Sequence, residues 1–160
     1  GNGGIVASPD GEYLYVAGMD HHDEPVKILR VSTSDFSRTE MGSGENACGN
    51  DCNMAINQDG SVLTIPQSYR GCIRAMDTNT KLVTDVAGVC LSPQGPCYGN
   101  SANCVDGPAE QATFDRPHAV TFDPNGPGTP IWVADGDIGT TGGFRIIEPT
   151  STPSSTPEQS

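Results

Sequence analysis

The sequence predicts an all-β fold of about three repeated four-stranded antiparallel sheets, and three observations predict it. Twenty glycines and 13 prolines are spread through the 160 residues, leaving no stretch in which a long helix would survive. Short runs rich in Val, Ile and Leu alternate with polar turns along most of the chain. An Asp-Gly or Asn-Gly corner stands at matching places in three segments, and such a corner between two β-branched runs is the strongest local hairpin signal.

The elements follow in order. Ile5-Val6-Ala7 leads through Ser8-Pro9-Asp10-Gly11 into Tyr13-Leu14-Tyr15-Val16-Ala17. Met54-Ala55-Ile56 leads through Asn57-Gln58-Asp59-Gly60 into Val62-Leu63-Thr64-Ile65-Pro66. Val120-Thr121-Phe122 leads through Asp123-Pro124-Asn125-Gly126, and four further residues, into Ile131-Trp132-Val133-Ala134. Glycine at the corner takes a positive φ without a Cβ clash, and Asp or Asn tolerates the neighbouring turn geometry. Third strands are expected over 26–31, 72–76 and 144–147, and fourth strands over 37–41 and 82–87. Four short strands per unit, repeated every 40–50 residues or so, are the pattern of propeller blades. The expected architecture is therefore a partial β-propeller with blades at roughly 1–44, 50–88 and 117–148. A long link, 88–117, joins the last two, and a Pro/Ser/Thr-rich linker or stalk covers 149–160. Three blades do not close a ring of the usual four to eight. The missing ones are expected from a longer parent chain, as Gly1 in place of Met also suggests, or from neighbouring copies.

Residues 106–148 carry a more specific pattern. Asp106-Gly107 precedes a run of small residues, followed by Phe114, Pro117, Ala119-Val120, the strand Ile131-Trp132-Val133-Ala134-Asp135 and the strand Phe144-Arg145-Ile146-Ile147. This resembles the NHL-repeat family of β-propellers. The resemblance departs at Ala119, where the family usually has Gly, and at Gly136-Asp137-Ile138, where it has a polar turn ending in Asn. The first two units share only the strand–turn–strand core. The resemblance implies a propeller that binds other macromolecules, with amidating lyases and lactonase-like hydrolases as its enzymatic members. His118, at the start of an inner strand, is where such enzymes place channel residues, but no accompanying ligand set is visible.

Composition narrows the partners. Twenty acidic residues against eight basic ones give a net charge of −12, and the basic residues are scattered, so nucleic acid is a poor partner. No apolar run nears the roughly 20 residues that cross a bilayer. The six cysteines Cys48, Cys52, Cys72, Cys90, Cys97 and Cys104 contain no C-x-x-C pair and only three histidines accompany them, which argues for disulfides rather than zinc and for a secreted or cell-surface setting. Propeller connectivity places the turns at 18–25, 67–71 and 135–143, and the links at 42–53 and 88–117, at one end of the disc. All six cysteines lie in or beside these segments. They form two groups of three, so full pairing requires at least one bridge between Cys48/Cys52/Cys72 and Cys90/Cys97/Cys104. Such a bridge is expected to pin the link across the second blade, because the link's Gly, Pro, Asn and Ser have little to bury.

Candidate chemistry is sparse. Asp20, His21, His22 and Asp23, with Glu24, could offer metal ligands, but neighbours in an extended segment point opposite ways. Asp135 and Asp137, with Asp123, could hold a structural calcium ion through oxygen ligands, yet they fit turn roles better. Tyr69 and Tyr98 are aromatics that could stack on sugars, while Trp132 is expected in the core. Thr150, Ser151, Thr152, Ser154, Ser155 and Thr156 lie in a run of only Pro, Ser and Thr, the composition of O-glycosylated stalks. The expectation is a non-enzymatic extracellular module with no cofactor. It would bind a protein partner or copies of itself, as part of a surface fibre or larger glycoprotein assembly, with glycans as further ligands. A metal-dependent lyase or hydrolase and a carbohydrate-binding module are the rival readings.

Overall fold

A computed structural model describes residues 3–18, 26–43, 53–90, 97, 103–122, 131–136 and 143–148. Twelve strands appear among them, and no α-helix. The first sheet is β1 (Gly4–Ala7), β2 (Tyr13–Gly18), β3 (Lys27–Ser32) and β4 (Arg38–Ser43), paired in that order. The second is β5 (Ala55–Ile56), β6 (Val62–Gln67), β7 (Cys72–Asp77) and β8 (Val83–Gly88). The third has β10 (Pro117–Phe122), β11 (Ile131–Asp135) and β12 (Gly143–Glu148), with β9 (Gly107–Pro108) outermost.

The repeat read from the sequence extends to individual hydrogen bonds. In the first hairpin the Ser8 amide donates to the Tyr13 carbonyl and the Gly11 amide to the Ser8 carbonyl. In the second, the Asn57 amide donates to Val62 and the Gly60 amide to Asn57. Gly11 and Gly60 have φ of 76° and 78°. Asp10 and Asp59 each accept the amide two residues on, from Glu12 and Ser61. The outer turns repeat as well. Thr33 Oγ1 donates to the Gly11 carbonyl at 2.9 Å, and Thr78 Oγ1 donates to the Gly60 carbonyl at 2.8 Å. Each threonine thus ties the outer turn to the inner hairpin beside it.

The sheets stack face to face. Tyr15, Ala17, Ile28 and Met41 from the first sheet meet Met54, Leu63, Ile65 and Met76 from the second. Ile73 and Ala87, on the other face of the second sheet, meet Val120, Val133 and Ile147 of the third. The middle sheet is covered on both faces, which is why β6 is buried from Leu63 through Gln67. β5 is only two residues long. Pro66, on its neighbour β6, has no N–H to give a longer partner, so the ladder stops at Ala55↔Thr64. Asn53 instead bridges to Ala119 of β10 in parallel, its amide donating to His118 and its carbonyl accepting from Val120. The inner strands of the second and third sheets therefore run side by side in the same direction.

Three expectations need correction. The third sheet is not wholly antiparallel, because β9 pairs in parallel with β12 through Gly107↔Ile147 and Pro108↔Glu148. The link does bury side chains: Phe114 is wholly enclosed, and Ala109 and Ala112 join the same cluster. These apolar residues are few but fall in one cluster with Ile73 and Ala87 of the second sheet and Val120, Val133 and Ile147 of the third. Trp132 is not in the core. It is 40% exposed, because alternation along β11 turns Val133 toward the second sheet and Trp132 away from it.

Candidate binding face

β6, β8 and β11 end where β7, β10 and β12 begin, and this end carries the described cysteines. The Cys72–Cys90 disulfide bridges the two cysteine groups and fastens the start of the link to the first residue of β7. Cys97–Cys104 closes a shorter loop within the link. Gly88, at the end of β8, has a φ of 76°, and its amide donates to the Ala109 carbonyl. A Cβ there would sit 2.7 Å from the Gly71 carbonyl oxygen and 2.9 Å from the Phe114 ring, so only glycine lets the link pack this closely. Beyond it the link folds on itself: the Gln111 and Ala112 amides donate to Pro108, and the Thr113 amide donates to Val105. Cys48 and Cys52 lie outside the described residues.

A buried polar cluster centres on Asp135. Its buried carboxylate accepts from the Asp115 amide at 3.1 Å, the Arg116 amide at 2.9 Å and Arg145 Nε at 2.7 Å. Arg145 Nη1 also donates to Asp106 at 2.7 Å. Burial disfavours the guanidinium's charge, but its hydrogen bonds to Asp135 and Asp106, together with their negative charges, outweigh that and raise the Arg145 pKa above its ordinary value. Chemically this is a tie: one carboxylate and one guanidinium hold the segment before β10 against β11 and β12. Asp135, weighed in the sequence as a calcium ligand, has its oxygens turned to these donors instead. Among the described residues no three His, Cys, Asp or Glu side chains come together as a metal site would require. Asp20, His21, His22, Asp23, Asp123 and Asp137 lie outside the described residues, as do Tyr98 and the Thr and Ser candidates at 150–156. His118 is half-buried at the start of β10.

Tyr69 is an exposed aromatic of this face. It sits in the four-residue turn between β6 and β7, where the Arg70 and Gly71 amides both donate to the Gln67 carbonyl. The turn is short, its base is bridged through Cys72, and its buried Ser68 anchors one side. The equivalent β2–β3 connection is four residues longer and carries the His21-His22 pair. The sequence pointed to Tyr69 by residue type alone. The Asp106–Arg145–Asp135 tie was missed as a cluster, although each of its three members lies within the NHL-like pattern.

No family model matches the sequence, and no curated protein matches it. Solved structures do. A chain of a nidogen/laminin complex superposes with a TM-score of 0.54 at 15% identity, over 84% of this chain and 39% of that one. Dihydro-heme d1 dehydrogenase NirN, in complex with DHE, gives 0.52 at 17% identity over 91% and 28%. Oligogalacturonate lyase from Vibrio parahaemolyticus gives 0.52 at 15% identity over 89% and 34%. The fold is a partial β-propeller. The chain spans about a third of the length of these solved chains, and at such identities the likeness is one of fold. Enzymes and a protein complex both occur among them.

Proposed function

We propose that the chain is a non-enzymatic extracellular β-propeller module of the NHL type that binds a protein partner through its cysteine-bearing end. The observation that carries this reading is Tyr69, an exposed aromatic on a short turn whose base is fastened by Cys72–Cys90. A rigid aromatic loses little conformational freedom on binding, and such residues dominate protein interfaces. The disulfides favour an oxidising compartment. The NHL reading is supported by two features of the quoted pattern: the tie of Arg145 to Asp135 and Asp106, and the enclosure of Phe114 in one cluster with Val120, Val133 and Ile147. One of the similar structures is of a complex between nidogen and laminin.

The test is a binding screen of the purified chain against extracellular proteins and against a glycan array. Tyr69→Ala is expected to weaken binding to a protein hit about 30-fold, the scale of a hot-spot residue, with an unchanged thermal midpoint. Glycan hits lost on substituting Tyr69 and Tyr98 would favour the carbohydrate-binding reading instead. Stoichiometric metal in the purified protein, with turnover abolished by substituting His118, would favour the lyase or hydrolase reading.

A further inference from the structure

The three sheets are copies of one unit, so each position can be compared in three settings. The second residue of the third strand is Ile28, Ile73 and Phe144 in turn. Ile28 and Ile73 are each 0% exposed, covered by the sheet that follows, whereas Phe144 is 82% exposed. The position facing the same way on the second strand is Tyr15, Thr64 and Trp132, at 3%, 1% and 40%. Trp132 pairs with Ile146 and Ala134 with Phe144, so the outer face of the third sheet presents Trp132, Phe144 and Ile146 as one apolar patch. The first sheet mirrors this on its other side. Leu63 and Ile65 are 0% exposed against the first sheet, but their counterparts Leu14 and Val16 are only partly buried, beside Leu29, Val31 and the largely exposed Ile5.

We propose that these two faces are the halves of one seam and that a second copy of this chain fills each. The seam continues interfaces already present in the molecule. The first sheet meets the second, and the second meets the third, through the same pair of faces that the third and first leave open. Two copies related by a two-fold axis along the propeller axis would pack the third sheet of each on the first sheet of the other. That arrangement makes two identical seams and closes a ring of about six blades, within the usual four to eight. Contiguous apolar faces of this kind mark interaction sites. Each copy carries a charge of −12, so repulsion opposes pairing and added salt strengthens it.

Light scattering on the purified chain is expected to give twice the 16.7 kDa chain mass, with a dissociation constant that falls as salt rises. Phe144→Asp and Ile5→Asp alter exposed residues, so each copy keeps its circular dichroism spectrum. Each variant alone is expected to self-associate at least about 100-fold more weakly, since every seam buries one carboxylate. An equimolar mixture of the two recovers a dimer through one seam, because the intact third sheet of one meets the intact first sheet of the other, while the remaining seam carries both carboxylates and leaves this dimer weaker than that of the unsubstituted chain. An unsubstituted chain that stays monomeric at every concentration would overturn the proposal and leave both faces to further sheets of a longer polypeptide. A Phe144→Asp variant that dimerises alone as tightly as the unsubstituted chain, or open polymers in place of dimers, would overturn it too.

Discussion

Replacing Asp135 by Asn would leave the Arg145 guanidinium facing an uncharged amide in a site largely closed to water. Removing one member of a buried pair typically costs about 3–5 kcal/mol. Asp135→Asn is therefore expected to lower urea-unfolding stability by about 3 kcal/mol, and Asp106→Ala, at the exposed end of the same guanidinium, by less than about 1. Equal losses from the two would contradict the tie as described. Four surface aspartates act in another way. Hydrogen bonds from Ser37 bring the Asp35 pKa down to about 2. Ser8 and then Glu12 lower Asp10, Ser61 lowers Asp59, and the Thr80 and Asn79 amides lower Asp77, all from an ordinary 3.8. A carboxylate lowered in the folded state supports folding above its ordinary pKa, and that support fades as pH falls through the folded value. The thermal midpoint is thus expected to hold above about pH 4 and to fall toward pH 2, with a shallower fall in Asp35→Asn.

At the scale of elements, the stretch of the link just before β10 is part of the core through Ala109, Ala112 and Phe114. Phe114→Ala removes a fully enclosed ring and is expected to cost about 3–5 kcal/mol, as for other buried phenylalanines. The Cys72–Cys90 bridge spans 18 residues, for which loop entropy predicts about 3 kcal/mol. Cys72→Ser with Cys90→Ser should lower stability by that amount in denaturant titrations, while Phe114→Ala in the same background should add nearly its full cost only if the two act independently. The strands themselves were legible because turn chemistry is local: Asp-Gly corners and β-branched runs placed ten of the twelve to within a residue or two and found β10 with its start three residues late. β9 was not legible. Gly-Pro has no strand propensity, and β9 pairs with a strand about 40 residues downstream, beside the Arg145–Asp106 contact, which a local reading cannot see.

For the whole molecule, the repeat decided both what could be read and what could not. Equivalent turns in successive units gave the number and order of the sheets. The exposure of Trp132 was misread because its burial depends on what lies beyond the third sheet, not on anything in its own strand. Tyr69 could be named from composition, but its place on a bridged turn required knowing that Cys72 partners Cys90 rather than any other cysteine. The parallel pairing of β9 has a consequence for how the chain assembles. The first two sheets take all their strands from one continuous stretch in order, so each can zip up by adding neighbours. The third borrows its rim from upstream, and that rim stays unclaimed until β12 has been made. Amides of the third sheet should accordingly gain protection after those of the first two in pulsed deuterium labelling, with the rim at Gly107 last to lock.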